Sequence, residues 1–192
     1  MTVRTLRPPV NALNDVYTIG HSTRSLDEFL ALLSQAGVTR IADVRAFPMS
    51  RRHPQFNKDA LTSTLPAAGV DYRHIPALGG RRHGRKGAPS RNGFWKVDAF
   101  RHYADYAETA AFGQAIGELE ALARERPTAY MCAEAVWWQC HRRLITDYML
   151  ARDWGVIHIL GAGQHQRASM TEGAIVHDDL TIEYPPVQPG LL

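Results

Sequence analysis

The sequence predicts an α/β fold, a single three-layer Rossmann-like domain with a mainly parallel sheet of about five strands and helices on both faces. Short apolar segments alternate with helical segments along the chain, which is the order that right-handed βαβ units require. A chain of 192 residues, 45% of them hydrophobic, is long enough to bury one core. We expect residues 16–175 to form this domain, between a flexible lead at 1–15 and a tail at 176–192.

Strands are predicted where apolar residues run together and a glycine, a proline or a polar cluster follows. In chain order these segments are residues 16–20, 40–44, 71–75, 128–132 and 156–160. Turn residues dominate the segment 161–173, which we expect to be a loop, and prolines in the tail indicate a surface position for it.

Helices are predicted from apolar spacing and from residues that cap helix ends. Ser25 and Glu28 have the spacing of a capping box, and Gly37 is a typical helix stop. Asn57 and Asp98 are candidate caps for the next two helices. The helices after the first are expected over residues 58–68, over 98–126 and from the Cys140 region to 154.

Composition excludes several classes of protein. Two cysteines do not make a disulfide framework, and no apolar run approaches the ~18 residues of a membrane span. The first residues lack the apolar segment of a secretory signal, so we expect a cytoplasmic protein with reduced thiols and no membrane partner. The net charge of +3 and the pI of about 9.0 permit a phosphate-bearing partner. The standard dinucleotide and triphosphate motifs are absent from the sequence.

Polar residues follow each predicted strand at its carboxyl end, which is the edge where open α/β sheets bind ligands. The first four strand ends carry in turn His21 with Ser22, Thr23 and Arg24; Asp43 with Arg45; Arg73 with His74; and Cys132 with Glu134. Cys140, His141 and Arg142 stand near the start of the following helix, where free N–H groups favour anions. The sequence therefore predicts one pocket that gathers these side chains.

Cys132 is the leading candidate for the reacting group in this pocket. A thiol near a helix start and several arginines is expected to have a lowered pKa and to act as a thiolate. The alternative is that Cys132 is a small buried hydrophobic residue that closes its strand.

The other candidates also have structural alternatives. Glu134, His21 and Asp43 are candidate catalytic acids or bases, but Glu134 can be a helix-start charge and His21 can stabilise its loop. Asp43 and Arg45 can equally form a buried ion pair. The candidate anion-binding or substrate-binding residues are Arg45, Arg142, His141, Ser22, Thr23, Arg81, Arg82 and Trp95.

No cofactor is predicted, although zinc or iron is an alternative. Cys132, Cys140 and His141, with His21 as a fourth ligand, are acceptable zinc ligands by chemistry. Their spacing does not match the usual cysteine pairs of zinc sites, so the metal site is the less favoured interpretation. A disulfide between the two cysteines is geometrically possible, but a reducing cytoplasm disfavours it.

A basic loop at residues 78–95 combines glycines with Arg81, Arg82 and further cationic residues. Such a loop can bind nucleic-acid phosphates or can be a solvated surface. Trp95 and the tryptophan pair Trp137–Trp138 favour binding, because aromatic rings near arginines stack on bases. Trp95 can instead fasten the loop to the core.

Six motifs in order resemble the family catalogued as domain of unknown function 488. They are Thr18-Ile-Gly-His-Ser-Thr, Asp43-Val-Arg with Pro48 and Ser50, Leu78-Gly-Gly-Arg-Arg, Phe100-Arg-x-Tyr-Ala-Asp-Tyr, Met131-Cys-Ala-Glu and Cys140-His-Arg. The resemblance covers about residues 16–170 and implies a compact α/β fold with the motifs lining one pocket. It implies no particular reaction, and fold alone does not supply one.

Three functions fit these patterns. The preferred one is an enzyme, a hydrolase or transferase, that acts on a phosphate-bearing small molecule, a nucleotide or a nucleic acid. The second is a non-catalytic nucleic-acid-binding or ligand-binding module that uses the basic loop, and the third is the metal site. The enzyme is preferred because acid, base and thiol groups together exceed what simple binding needs. The oligomeric state is left open.

Overall fold

The computed structural model describes residues 14–84 and 89–186, and its centre is a six-stranded sheet. The strands are β1 (Asp15–Gly20), β2 (Arg40–Asp43), β3 (Asp71–His74), β4 (Thr128–Cys132), β5 (Gly155–Gly161) and β6 (Gln164–Arg167). Their order is β3-β2-β4-β1-β5-β6; the first five are parallel and β6 is antiparallel to β5. The predicted α/β fold is confirmed, and β6 lies where a loop was expected.

Five helices cover both faces of the sheet. They are α1 (Leu26–Gln35), α2 (Lys58–Thr64), α3 (Asp98–Ala107), α4 (Ala110–Glu125) and α5 (Arg142–Leu150). One apolar cluster joins α1 and α2 to the sheet through Phe29, Leu33, Leu61, Ile41 and Met131. A second joins α3, α4 and α5 to the opposite face through Tyr103, Phe112, Leu144, Ala42 and Cys132. The sheet is therefore buried on both faces, as parallel sheets are.

Some helices begin and end where the sequence predicts, and others do not. Ser25 and Glu28 form the predicted capping box at α1. The helix expected to run from Asp98 to residue 126 is two helices, because Thr109 has extended backbone and its hydroxyl accepts the N–H of Phe112 to begin α4. Asn57 does not cap α2 with its side chain; its Oδ1 accepts the Ser50 N–H at 2.6 Å.

The described part of the C-terminal tail, residues 176–186, packs against the core through Ile182 and Tyr184, whereas a surface position was predicted. A short hairpin of β7 (Ile175–Val176) and β8 (Ile182–Glu183) leads to Tyr184, whose side chain is buried. The Tyr184 hydroxyl donates to Asp147 on α5 at 3.0 Å, and the Thr171 N–H donates to the same carboxylate at 2.9 Å. Asp147 therefore fixes the tail to the domain.

Some predictions fall on residues 1–13, 85–88 and 187–192, which are outside the described part of the chain. They concern most of the lead, the centre of the basic loop and the end of the tail. Among the residues that are described, no helix is both long and apolar enough to cross a membrane.

Asp147 makes stability depend on pH. Burial raises the pKa of its carboxyl from 3.8 to about 6. Because the folded pKa lies above the unfolded one, the protonated carboxyl stabilises the fold at low pH, and about 3 kcal/mol is lost as the pH rises through 6. We expect Asp147→Asn to remove this dependence, since the amide has no ionisable proton; its oxygen still accepts the Thr171 N–H, and its nitrogen donates to the Tyr184 oxygen in place of the bond that the hydroxyl donates now.

Urea unfolding of both proteins at about pH 4 and about pH 8 measures the difference. The variant should gain about 2 kcal/mol relative to wild type between the two conditions, because part of the stabilisation is already lost at pH 4. Histidine titration is common to both proteins and cancels. Asp98→Asn, at an exposed carboxylate, is the control and should show no such gain. A stability gap for Asp147→Asn that does not change with pH contradicts the assignment.

Candidate functional site

The carboxyl ends of β1, β2 and β4 lie side by side and continue pairing beyond the strands. The His21 N–H donates to the Cys132 carbonyl at 3.0 Å, and the Val44 N–H donates to the Met131 carbonyl at 2.9 Å. Gly20 allows the close approach, because a side chain there would collide with the Glu134 carbonyl. The predicted strand-end residues are therefore neighbours along this edge.

The sheet nevertheless divides these residues into two clusters, because successive side chains of a strand point to opposite faces. Asp43 and Arg45 lie on the face covered by α1 and α2, where they contact Tyr72 and Phe56. Cys132 lies on the face covered by α3, α4 and α5. The pocket predicted from sequence is thus two sites that share an edge.

The first cluster is a buried ion pair. Arg45 donates from Nε at 2.9 Å and from Nη2 at 2.5 Å to the two carboxylate oxygens of Asp43. The Tyr72 hydroxyl also donates to Asp43 at 2.7 Å, and Arg45 Nη2 donates to the Phe56 carbonyl at 2.7 Å. Both charged groups are hydrogen-bonded within the protein. This geometry agrees with the interpretation of Asp43 and Arg45 as a buried ion pair.

His21 belongs to this first cluster. Its Nε2 lies 3.1 Å from Arg45 Nη1, and because an arginine only donates, Nε2 accepts. Its Nδ1 then carries the proton and donates to the Ser22 carbonyl at 2.9 Å. Burial, and next the charge of Arg45, lower the pKa of His21 to about 4. The ring stacks on Phe56 at 4.3 Å and is neutral at physiological pH, with both nitrogens hydrogen-bonded.

The second cluster is a pair of thiols beside a base and a cation. The sulfurs of Cys132 and Cys140 are 2.8 Å apart, and both cysteines are free. Arg142 Nε donates to Cys132 Sγ at 3.1 Å, and the Glu134 N–H donates to the same sulfur at 3.3 Å. Cys140 Sγ lies 3.4 Å from Nδ1 of His141. The contacts form a chain from Cys132 through Cys140 to the imidazole.

His141 is held in one orientation by a backbone group. Its Nε2 lies 2.9 Å from the Val44 carbonyl, which only accepts, so Nε2 carries the proton and Nδ1 faces Cys140 as an acceptor. Gly80 permits this position, since a side chain at Gly80 would collide with the ring. Burial lowers the pKa of His141, so the ring is a neutral base. The sequence analysis assigned His141 to anion binding, whereas in the structure its Nδ1 faces the Cys140 sulfur as a base.

The expected lowered pKa belongs to Cys140 rather than to Cys132. Burial, and then the neighbouring Cys140, raise the pKa of Cys132 well above 9. Burial alone raises the pKa of Cys140, but the hydrogen bond from Cys132 and the charge of Arg142 outweigh it and bring the value to about 7. After one of the two thiols ionises, the sulfurs share the remaining proton. The pair therefore loses its first proton easily and its second with difficulty.

Arg142, the first residue of α5, is buried beneath the loop that joins β4 to that helix. Its Nη1 donates to the Thr18 hydroxyl at 3.1 Å, and its Nη2 donates to the Glu134 carbonyl at 2.6 Å. One guanidinium therefore links β1, the loop and the Cys132 sulfur.

The remaining predicted residues lie nearer the surface or elsewhere. Glu134 and Thr23 are exposed, and Ser22 is half-buried with a φ of 51°. Arg81 is exposed over the ring of Phe47. Two others serve packing: Arg82 lies 3.6 Å above the Tyr106 ring and donates to the Gly79 carbonyl, and Trp95 is buried in a stack with Phe100.

Several residues of these clusters were missed from sequence. Thr18 and Tyr72 read as ordinary strand residues, and only the register shows that they reach Arg142 and Asp43. His158 on β5 is fully buried, and neither ring nitrogen has a hydrogen-bond partner. Trp137 stacks on it at 4.3 Å, and burial followed by the charge of Arg142 lowers the pKa of His158 to about 4.

The Cys132, Cys140 and His141 set does not have the shape of a metal site. Within residues 14–84 and 89–186, no group of three or more His, Cys, Asp or Glu side chains is arranged to hold an ion. Two thiolates on one tetrahedral zinc, each about 2.3 Å from the metal, stand about 3.8 Å apart. The sulfurs here are 2.8 Å apart, and His21 lies in the other cluster.

The ion pair of the first cluster predicts a large loss of stability for Asp43→Asn. Removing the carboxylate leaves the buried Arg45 charge without a counterion, which costs about 3–5 kcal/mol. Tyr72→Phe removes one donor to the same carboxylate and should cost about 1 kcal/mol. Urea unfolding measures both, with Asp98→Asn as the exposed control. Equal stability of Asp43→Asn and wild type would show that the pair is not structural.

A model of the family described as domain of unknown function DUF488 matches residues 25–149. Comparison with curated proteins and with solved structures produced no match. The matched segment contains the Asp43–Arg45 pair and the complete run from Cys132 to Arg142. Since the match covers more than half of the chain, this protein belongs to the DUF488 family.

Proposed function

We propose that the protein is a thiol-dependent enzyme, a hydrolase or transferase, that acts on a phosphate-bearing substrate. The observation that carries the proposal is the chain of contacts from Cys132 through Cys140 to His141, with Arg142 against the first sulfur. A nucleophile, a base and a group that orients the base are the parts that covalent catalysis requires. Here they are Cys140, His141 Nδ1 and the Val44 carbonyl.

Cys140 is the nucleophile in this proposal. Its pKa is lowered to about 7, so it ionises more readily than an ordinary thiol, and the residue is slightly less buried than Cys132. The Cys132 thiol donates to the Cys140 sulfur and stabilises its charge, and Arg142 adds a positive charge nearby. Cys132, the candidate favoured from sequence, thus has the supporting role.

The reaction proceeds in two steps under this proposal. The Cys140 thiol gives its proton to His141 Nδ1, and the resulting thiolate attacks phosphorus and forms an S–P bond, while the ester oxygen leaves and takes that proton from the imidazole. Water, or an acceptor alcohol in a transferase, then breaks the S–P bond and restores the thiolate. Glu134, exposed on the adjoining loop, is the candidate base for that second step.

The charges at this edge favour an anionic substrate. Arg24 and Arg142 are close enough to influence each other electrostatically, and Arg82 acts in the same way on His141. The one buried carboxylate of the neighbouring cluster, Asp43, is neutralised by Arg45. A net positive edge attracts phosphate groups and raises their local concentration.

Access to the sulfurs requires the loop between them to move. Cys132 is 1% and Cys140 4% exposed, whereas loop residues 133–135, 138 and 139 are exposed. Displacement of this surface loop opens the thiols and breaks the hydrogen bonds that the Ala133 and Glu134 carbonyls accept from Ser22 and Arg142. Loops that close over a substrate commonly complete a catalytic site in this way.

The basic-loop alternative has less support. Arg91 pairs with Glu108 and Glu183, and Arg82 is bound to backbone carbonyls and to Tyr106. These arginines already have partners within the chain, so a nucleic-acid-binding module is the weaker proposal.

Turnover of a panel of phosphomonoesters and nucleotides tests the enzyme proposal. Cys140→Ser should reduce activity to background, because a hydroxyl ionises far less readily than a thiol and the site lowers a thiol pKa rather than activating an alcohol. Glu134→Gln should lower kcat by about 100-fold or more while changing KM little. Ser169→Ala, an exposed change away from the cluster, is the matched control. Full activity in Cys140→Ser, with folding confirmed by circular dichroism, rules out Cys140 as nucleophile.

A further inference from the structure

The two sulfurs of the second cluster are placed for a covalent bond as well as for a hydrogen bond. Their separation of 2.8 Å exceeds a disulfide bond of about 2.05 Å by only about 0.8 Å. Cys132 ends the buried strand β4, so its sulfur is held by the sheet, whereas Cys140 lies between the 3₁₀ turn and the start of α5. A small movement of one backbone segment therefore suffices to join them.

The segment able to move is the loop at residues 133–139. Much of it is exposed, and it ends in the one-turn 3₁₀ helix Trp137–Gln139. Cys140 follows with extended backbone, φ −133° and ψ 153°, and forms the joint between that turn and α5. An extended residue between two short elements can adjust its sulfur position without unfolding either element.

We propose that Cys132 and Cys140 form a two-electron redox centre, which closes to an intramolecular disulfide by exchange with a low-molecular-weight disulfide. The Cys140 thiolate attacks one sulfur of that disulfide, the S–S bond breaks, and one thiolate leaves. Cys132 then gives up its proton and attacks the Cys140 sulfur, which expels the second thiolate. The protein loses two hydrogen atoms, and the small disulfide becomes two thiols.

The neighbouring groups favour the second attack over a lasting mixed disulfide. Cys132 stands next to the sulfur it must attack, and the Arg142 Nε and the Glu134 N–H both donate to Cys132 and stabilise its thiolate. A reduced dithiol returns the centre to its starting state by the reverse exchange.

Oxidation has a consequence for catalysis that rests on the proposed function. The disulfide contains no thiolate, so the oxidised protein lacks the nucleophile and is inactive until it is reduced. The redox chemistry itself does not depend on the enzyme proposal, because it requires only the two sulfurs.

The test uses the full chain, first reduced and freed of reductant, then incubated with oxidised glutathione. Intact mass, free-thiol titration and non-reducing electrophoresis are recorded over time. The chain has only two cysteines, so a monomer that has lost two hydrogen atoms and both thiols identifies the Cys132–Cys140 bond. We expect this species to accumulate, with no glutathione adduct at the end point.

Two single variants and one control complete the test. Cys132→Ser should stop at a stable glutathione adduct on Cys140, and Cys140→Ser should react more slowly. The wild-type protein unfolded in guanidinium reports whether the oxidant is competent. A folded wild type that keeps both thiols, or that accumulates the mixed disulfide while the unfolded chain oxidises, overturns the redox proposal.

Turnover distinguishes this proposal from the previous one. If the disulfide forms but no phosphoester is turned over, the result supports the redox centre and contradicts the proposed function. If the fully oxidised protein still turns over substrate, oxidation does not inactivate it, and the nucleophile is neither of these sulfurs.

Discussion

The buried guanidinium of Arg142 is the interaction on which the candidate site depends. It lies at the first turn of α5 and bonds to Thr18 on β1, to Cys132 on β4 and to the loop carbonyl of Glu134. A buried cation without a counterion is costly, and the partners of Arg142 are neutral unless the thiol pair loses a proton. The same contact that holds strand, loop and helix together therefore favours a thiolate.

The two faces of the sheet use charge in different ways at one edge. On the α1 and α2 face, Asp43 and Arg45 neutralise each other, and His21 and Tyr72 complete their hydrogen bonds. On the other face, within residues 14–84 and 89–186, Arg142 donates to a hydroxyl, a sulfur and two loop carbonyls and pairs with no carboxylate. The hydrogen-bonded network around Asp43 and Arg45 stabilises the strand ends, whereas the second cluster contains two thiols that are able to react.

The sequence predicts the sheet well, and it predicts which candidate residues stand at the strand ends, because both follow from local patterns. Alternating apolar strands and helices locate the strand ends, and Cys132, Cys140 and Arg142 all stand at one of them. The division into two clusters was missed because it depends on which face each side chain takes once the strands are in register. Asp43 and Cys132 are the last residues of neighbouring parallel strands, yet their side chains lie on opposite faces of the sheet.

Other features need three-dimensional contacts that no spacing rule contains. Cys140 rather than Cys132 has the lowered pKa because of a sulfur–sulfur contact and burial, neither of which the sequence shows. The burial of Tyr184 likewise depends on its contact with Asp147, which lies 37 residues earlier in the chain. Asp147 and His158 lie within regular elements, where the sequence gives no sign that they are buried. The break before α4 depended on a single threonine that can act as a cap.

We predict that the two cysteines share one proton and that one of them is a thiolate near neutral pH. Ultraviolet absorbance of the thiolate, followed against pH in the reduced protein, measures this directly. One thiolate should form with a midpoint of about 7 and a second only well above 9. In Cys132→Ser the Cys140 midpoint should change, because the thiol donor is replaced by a hydroxyl. Two thiols that titrate together at or above 9 in the folded wild type would contradict the claim.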